Sequence, residues 1–421
     1  MARWLVITSF IVLAQACAQK PWVTEARTGN LANLQRYVEV AGKRHRFNRR
    51  AVKQLAEAVA DREIATADDT EAYERILKLK ACASDLYWPL HRRSQSQDEI
   101  AAAANLLLLD TGWHDSNERL RSFAKSTDGA WRAVSARAAE QPAMRTRVYQ
   151  ALVDPDARVR RAALMTIQAN PLADDGKALL DVVRFDPDES LRASAMVALG
   201  ETGDQQSVLL ARELWDAMVE PVRLAYLQAL DASPIRARLG SQILWRIMDH
   251  EDSMASVVAA SLLFRGTKPV SELARGRLLH ALRAGTSSEQ LLALATLGSG
   301  GAENMPEIRK LALDGAQYVR VAALQLWLDS GRDVLDARRR LETISASRDS
   351  DALEAAQVLS LRGQADSIAR MEARLTAPHA DERIAVSRLL IRLERWDAVA
   401  KALVDDHPSV RLGTACQMLA D

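Results

Sequence analysis

Apolar residues recur along the chain with the spacing of one face of an α-helix. Side chains at positions i, i+4 and i+8 share a helical face. The clearest sets are Val159, Ala163, Ile167; Leu191, Ala195, Leu199; Val222, Tyr226, Leu230; Val319, Ala323, Trp327; and Val410, Thr414, Met418. Good helix formers such as Ala, Leu and Arg are plentiful, and alternating β-branched runs are scarce. The pattern predicts an all-α protein.

The same helical segment recurs along the second part of the chain at intervals of about 31 residues, within the range of periods that is typical of stacked repeats. An Arg marks each clear copy, and the residue two positions later is small in every case. The marking residues are Arg160, Arg192, Arg223, Arg320, Arg383 and Arg411. We therefore predict an α-solenoid of stacked two-helix repeats over residues 144–421, with a long concave surface.

An Asp stands six residues before the Arg in four copies, and a Pro follows it in two. The four are Asp154, Asp186, Asp314 and Asp405. An Asp side chain can cap a helix by accepting hydrogen bonds from its free N–H groups. Pro155 and Pro187 would then occupy the first helical turn, where a missing N–H is tolerated. We predict that each Asp begins the second helix of its repeat.

Four segments resemble the HEAT-like repeats of the phycobilisome-lyase type, and the resemblance covers residues 144–421. They read DPDARVRRAAL, DPDESLRASAM, DGAQYVRVAAL and DDHPSVRLGTA. The resemblance implies that the recurrent Asp and Arg residues line the inner face and link neighbouring repeats as a ladder, from Asp154 and Arg160 to Asp405 and Arg411. Such a ladder can hold the repeats together or contact a partner, and the sequence leaves both interpretations open.

Residues 20–143 form a helical region that is out of phase with the repeats, and we expect it to be a degenerate repeat start or cap. The predicted helices read NLANLQRYVEVAGK, RRAVKQLAEAVADRE, EAYERILKLKACASDLYWPL and AAAANLLLLDTG. We expect Pro89 to end the third helix, and the nearly all-apolar fourth helix to be buried. The polar run of residues 92–99 is predicted to be a loop.

Residues 1–18 have the pattern of a bacterial signal peptide: a short positive start, an apolar stretch and small residues. Cleavage after Ala16 or Ala18 would release a periplasmic or secreted protein. Alternatively, the Ala16-Cys17 pair resembles a lipobox, which implies a lipid anchor on Cys17. A buried apolar first helix is the remaining alternative. We expect export to the bacterial cell envelope, as a membrane-anchored lipoprotein or a periplasmic protein.

The other two cysteines, Cys82 and Cys416, lie far apart in the sequence. Two cysteines do not make a disulfide framework, and in an elongated fold their distance argues against a bond between them. We expect both to be small buried hydrophobic residues.

Nothing in the sequence indicates a catalytic, metal or cofactor site. The chain has 56 basic and 55 acidic residues, and this balance argues against a nucleic-acid binder. The HExxH, GxSxG and P-loop motifs are absent from the sequence. Deoxyhypusine hydroxylases, which are HEAT-like enzymes, hold two irons with several His-Glu pairs, whereas this chain has one pair, His250-Glu251.

Two further features allow a functional and a plain structural interpretation. A basic cluster can contact anionic groups, or it can be a solvated loop and helix start. Its residues are Lys43, Arg44, His45, Arg46, Arg49, Arg50 and Lys53. The tryptophans can pack in the core or anchor a partner. They are Trp88, Trp113, Trp131, Trp215, Trp245, Trp327 and Trp396.

The sequence favours a non-enzymatic, protein-binding scaffold or adaptor of the cell envelope, which binds a partner on the concave face. The partners would be proteins and, through Cys17, a membrane, with no nucleic acid. Two alternatives stay open: an accessory factor or enzyme of the HEAT-like class, and a purely structural spacer.

Overall fold

The computed structural model describes residues 21–421 apart from residues 29, 45–46, 70, 113–116, 234–239, 252, 266–269, 299–303 and 348–350. The predicted signal peptide with Cys17, and also His45, Arg46 and Trp113, lie outside the described residues. All regular secondary structure in the described part is helical, which confirms the all-α prediction.

The helices follow one another closely, and most of them span two to four turns. The first six are α1 (Pro21–Thr28), α2 (Leu31–Gly42), α3 (Arg49–Ala65), α4 (Ala72–Leu77), α5 (Tyr87–Arg93) and α6 (Glu99–Asp110). The next eight are α7 (Asn117–Ser122), α8 (Gly129–Arg137), α9 (Arg145–Ala151), α10 (Ala157–Ala169), α11 (Gly176–Phe185), α12 (Glu189–Glu201), α13 (Gln205–Ala211) and α14 (Glu220–Ala232). They are followed by α15 (Gly240–His250), α16 (Met254–Phe264), α17 (Val270–Ala284), α18 (Ser287–Gly298), α19 (Met305–Asp314), α20 (Gln317–Asp329), α21 (Val334–Ser345) and α22 (Ala352–Ser360). The last four are α23 (Ala365–Ala373), α24 (Ala380–Arg392), α25 (Trp396–Ala402) and α26 (Pro408–Ala420). Short 3-10 turns lie at Lys78–Cys82, Phe123–Lys125, Pro142–Met144, Ala173–Asp175, Arg212–Ala217 and Arg374–Thr376.

The chain divides into two compact units. Unit 1 combines residues 1–114 with residues 368–421, and unit 2 consists of residues 115–367. The repeat pattern in the sequence predicts a boundary between residues 143 and 144. That boundary is one of sequence similarity rather than of compactness, so it stays a prediction.

Unit 2 is built from helices that contact their neighbours in the chain. Every second helix also contacts the next member of its own row. This row consists of α8, α10, α12, α14, α16, α18, α20 and α22. Four of the five predicted apolar stripes lie in it and are buried: Val159, Ala163 and Ile167, for example, are each at most 1% exposed. Burial of each stripe against the next helix is the main stabilising contribution.

Close approach within this row depends on small residues. A Cβ atom on Gly200 of α12 would lie 2.5 Å from the Cα atom of Ala229 in α14, closer than real atoms approach. The two helices therefore meet backbone to backbone, and a larger side chain would push them apart.

Unit 1 joins segments from opposite ends of the sequence. Helix α26 packs on α3, and α25 packs on α2 and α3. In addition, α24 contacts α26, as members of a row do in unit 2. Within unit 1, α3 near the start of the chain thus packs directly on α26 at its end.

The structure corrects the expectation for the two distant cysteines. Cys82 and Cys416 form a disulfide, with their Cα atoms 5.3 Å apart. The prediction of two free thiols assumed an elongated fold that keeps the chain ends apart. It was wrong because α26 packs directly on the 3-10 turn Lys78–Cys82.

The N-terminal helices agree with the sequence except at Pro89. Helices α2 and α3 are present, each capped by an Asn side chain, and α6 is largely buried. The predicted third helix is instead divided into α4, the 3-10 turn and α5, and Pro89 lies in the first turn of α5. The first N–H groups of a helix have no intrahelical acceptor, so Pro is tolerated there. Among the residues described, none of the helices has the length and apolar character that crossing a membrane requires.

Candidate functional site

The repeat Arg residues make a recurring contact, and Arg160 on α10 shows its geometry. Its Nε and Nη2 atoms donate to the two carboxylate oxygens of Asp186, at 2.7 and 3.2 Å. Its Nη1 atom donates to the backbone oxygens of Asp154 and Pro155, at 2.8 and 3.1 Å. The guanidinium thus closes the turn before its own helix and binds the Asp of the following repeat.

Three other Arg residues repeat this geometry. In each, Nη1 donates to the backbone oxygens six and five residues earlier, while the other edge binds a carboxylate of a neighbouring segment. The pairs are Arg132 with Asp154, Arg383 with Asp405, and Arg411 with Glu63. We call these contacts, together with Arg160–Asp186, the filled rungs. Because bidentate Arg–carboxylate hydrogen bonds are strong and geometrically specific, they fix how neighbouring segments pack.

Sequence reasoning missed two members of the filled rungs. Arg132 follows Trp131, whereas five of the six predicted Arg residues follow Val or Leu. Glu63 lies in α3, 348 residues before Arg411, and no local pattern marks it as a partner. Both oxygens of Glu63 accept from Arg411 at 2.9 Å, and both side chains are 8% exposed.

The structure also corrects the predicted role of the Asp residues that stand six positions before the Arg. Asp154 and Asp186 do not cap α10 and α12, because the caps are Asp156 and Asp188, two residues later. Asp154 and Asp186 instead accept the N–H groups of these caps, at 2.9 and 2.8 Å, and bind Arg132 and Arg160.

The same correction holds for the remaining predicted caps. Pro155 and Pro187 lie before the helices rather than in their first turns. Asp405 accepts the N–H group of His407, the residue that caps α26. Asp314 is the last residue of α19, and α20 begins after Ala316. An Asp two residues before a cap accepts the N–H group of the cap through Oδ1, and the same carboxylate binds the Arg through both of its oxygens.

Hydrogen bonding lowers the pKa of the carboxylate in two Arg–Asp pairs, one in a filled rung and one outside them. Hydrogen bonds from Arg132 lower the pKa of Asp154, against the opposite effect of partial burial. A buried pair outside the predicted set behaves similarly: burial raises the pKa of Asp175, but hydrogen bonds from Arg145, the Leu172 N–H group and Tyr149, together with the charge of Arg145, lower it overall. Burial and a hydrogen bond to Asp175 raise the pKa of Tyr149 to about 12. Both carboxylates are therefore ionised near neutral pH.

Arg320 makes a variant contact with a carboxylate that the sequence did not single out. Its Nη2 atom donates to the fully buried Asp351 at 2.9 Å. Arg320 itself is 30% exposed at the side chain, more than the Arg of any filled rung.

Two predicted Arg residues, Arg192 and Arg223, have no filled rung. The position six residues before Arg223 is occupied by Ala217 rather than Asp. Arg192 lies 3.6 Å from the exposed Glu189 on its own helix, and its buried Nε atom has no hydrogen-bond partner among the described residues. Arg223 instead lies over the ring of Trp215, 5.3 Å from its centroid.

In the pair His250-Glu251, Glu251 contacts Trp215, the residue over whose ring Arg223 lies. Glu251 accepts a hydrogen bond from Nε1 of Trp215 at 3.0 Å. His250 is the last residue of α15, and its Nδ1 atom lies 3.1 Å from the backbone oxygen of Arg246. Over the described part of the chain, no group of three or more His, Cys, Asp or Glu residues could hold a metal ion.

The basic cluster is spread over a helix end and a helix start, and its described members are exposed except for Lys53, which is half-buried. Lys43 pairs with Glu39 on α2 at 2.7 Å. Arg49 donates to Asp421, 3.0 Å from its Oδ2 atom, and Arg44 and Arg50 face solvent. Contact of these side chains with an anionic surface stays a prediction.

Trp215 and Trp396 are half-buried, and the other four described tryptophans of the predicted set fall into two groups. Trp131 and Trp327 are buried, and Trp327 donates to the backbone oxygen of Arg332. Trp88 is 66% exposed and Trp245 is 38% exposed. Packing therefore accounts for the first two, whereas the second two are available to a partner.

Unit 1 contains a cleft with a volume of about 1020 Å³. It lies between α2 and the segment from α23 to α25, and Glu39, Asp397, Lys401 and Trp396 are among its lining residues. Gln35 bridges its wall by donating to the backbone oxygen of Val404 and to Asp406. The lining carries both charges, so the cleft suits a polar protein surface better than an apolar small molecule.

A scan against protein-family models found no match, and a search of curated proteins found no significant match. The function is therefore inferred from the chain's own geometry.

Proposed function

We propose that this protein is a non-enzymatic binding scaffold of the bacterial cell envelope, built as an α-solenoid of HEAT-like repeats. The observation that carries the proposal is the row of alternating helices in unit 2, in which each member contacts the next. Stacked two-helix repeats form an extended surface that is suited to binding a protein partner. Fold does not fix the ligand of such a surface, so the partner has to be found experimentally.

The filled rungs support a structural role for most of the Asp–Arg ladder. The Arg160 and Arg411 side chains are 9% and 8% exposed, and each makes four hydrogen bonds within the protein. Side chains bound in this way are poor candidates for partner contacts. The binding surface of the scaffold would lie elsewhere on the helices.

The disulfide in unit 1 supports export. Disulfides persist in oxidising compartments such as the bacterial periplasm and are rare in the cytosol. The bond between Cys82 and Cys416 therefore fits an exported protein, with either a lipid on Cys17 or removal of the signal peptide. The mass of the mature N-terminal peptide from native membranes distinguishes these two outcomes, and an uncleaved Met1 would argue against export.

Site-specific photo-crosslinking in intact cells of the native host tests the binding function. One probe replaces Tyr318 on α20, in the alternating row, and a second replaces Leu335 on α21, outside it; they are 50% and 67% exposed. We expect a discrete adduct with an envelope protein from one of the two positions. Adducts from neither position would overturn the scaffold proposal and favour a structural spacer. Stoichiometric iron or zinc in the purified protein would instead favour an enzyme.

A further inference from the structure

The unfilled position after Arg192 lies beside a pocket in unit 2. The pocket has a volume of about 400 Å³, and both Arg192 and Ala217 line it. Its apolar wall includes Phe185, Leu214 and Met218. Phe185 is 77% exposed, which is unusual for a large aromatic side chain of a folded protein.

The filled rungs show what this pocket lacks. Asp154, Asp186 and Asp405 stand six residues before an Arg, and each binds the Arg of the preceding segment. In the same register Ala217 stands six residues before Arg223, and its methyl group cannot accept a hydrogen bond. Arg192 is therefore left without the carboxylate that Arg160 has.

The environment of Arg192 favours an added carboxylate. Its Nε atom is buried and has no hydrogen-bond partner among the described residues, and an unsatisfied buried donor is unfavourable. The carboxylate of Glu189 is 58% exposed and lies 3.6 Å from Nη2, so it does not satisfy Nε. A second cation, Arg184, also lines the pocket and is exposed.

We propose that this pocket binds an acidic side chain of a partner protein, which completes the rung on Arg192 as Asp186 completes it on Arg160. The partner segment carries an Asp or Glu next to an apolar residue, because the carboxylate faces the guanidinium while the apolar residue packs on Phe185 and Met218. This inference rests on the proposed scaffold function and names the chemistry of one of its contacts.

The test uses the full chain with ¹⁵N-labelled arginine and two short capped peptides. The first peptide places one Asp between two Leu residues, and the second has Asn in place of the Asp. We expect the Asp peptide to shift the Nε–H resonance of Arg192, and the Asn peptide to bind at least tenfold more weakly. Equal binding of the two peptides would overturn the proposal, since it would show that no carboxylate is recognised.

Variants of two pocket residues make the test specific. Arg192→Gln removes the guanidinium, and we expect at least a tenfold loss of affinity for the Asp peptide. Ala217→Asp supplies an internal carboxylate and should compete with the peptide to a similar extent, whereas the matched Ala217→Asn variant should bind as the wild type does. Unchanged affinity in Arg192→Gln contradicts the proposal. If that variant does not fold, equal affinity in Ala217→Asp and Ala217→Asn contradicts it.

The outcome is separable from that of the scaffold function. Crosslinks from α20 or α21 that persist while the peptide fails to bind would leave the scaffold in place and remove this pocket from it. Absence of crosslinks would overturn the scaffold function, whatever the peptide does.

Discussion

The two compact units use the same Arg–carboxylate contact at very different distances along the chain. In unit 2, Arg160 binds a carboxylate 26 residues later, and Arg132 binds one 22 residues later. In unit 1, Arg411 binds Glu63, 348 residues away, and a disulfide spans 334 residues. Local contacts form with a small loss of chain entropy, whereas contacts between distant segments require closure of a long loop. Unit 1 therefore depends on a few long-range contacts more than unit 2 does.

Arg411→Ala should have the largest effect, which is a loss of stability in unit 1. It leaves the Glu63 carboxylate buried without its partner, which destabilises a protein by about 3–5 kcal/mol. Hydrogen exchange should show loss of protection in α3 and α26, with little change in unit 2.

Arg49→Ala is the matched control for this variant. Arg49 also joins α3 to the end of the chain, through Asp421, but its side chain is 56% exposed. Exposed ion pairs contribute about 0–1 kcal/mol. A loss in Arg49→Ala as large as that in Arg411→Ala would show that burial of the pair is unimportant.

Asp175→Asn tests how much the stability of unit 2 depends on a buried Arg–carboxylate pair. Asp175 is fully buried and binds Arg145, so we expect a loss of about 3 kcal/mol in the unfolding free energy at neutral pH. The folded-state pKa of Asp175 lies below its ordinary value of 3.8. Its contribution is thus fully present above that value and is lost as the pH falls through the folded-state pKa.

Denaturant titrations of the full chain between neutral and acidic pH measure this effect. The wild type should lose stability below about pH 4, and Asp175→Asn should lose less over the same range. The neighbouring Asp174 is exposed, so Asp174→Asn should follow the wild-type curve. Equal losses in the two variants would contradict the assignment of the effect to the buried pair.

Reduction of the disulfide should destabilise unit 1 selectively. A cross-link that closes a long loop stabilises a protein by about 2–4 kcal/mol, mainly by restricting the unfolded chain. Dithiothreitol should therefore lower the melting temperature of unit 1 in the wild type. It should leave the double variant Cys82→Ala/Cys416→Ala unchanged, because that variant has no bond to reduce. An equal response of the two proteins would indicate that the disulfide is absent.

Gly200→Ala should have the smallest effect of the four and tests neighbour packing in unit 2. The added methyl group would meet the Ala229 backbone, and overpacking of this kind destabilises by about 1–3 kcal/mol. A Cβ on Gly276, inside α17, has no atom within 4 Å, so Gly276→Ala should stabilise by about 0.5–1 kcal/mol. Thermal unfolding of the two variants should thus shift in opposite directions, and a common direction would contradict the close approach of α12 and α14.

Parts of the candidate site were predictable because they depend on local sequence. The repeat register identified Arg160, Arg383 and Arg411 from the residues around them, and the apolar stripes predicted beside Arg160 and Arg411 were correctly placed in the interior. The register could not identify the partner of Arg411, because Glu63 lies in α3, which is outside the predicted repeats and 348 residues away. It also misassigned Asp154, since a cap and a residue two positions before it differ only in backbone geometry.

The sequence by itself determined that this protein is helical, where the helices that carry the repeat Arg residues lie, and which face of five of them is apolar. These properties follow from periodicity and propensity, which act over a few neighbouring residues. Tertiary structure alone decided that Cys82 meets Cys416, that Glu63 completes the last rung and that Nε of Arg192 has no hydrogen-bond partner among the described residues. Each of these depends on which helices pack together, and packing brings together residues whose separation along the chain carries no signal.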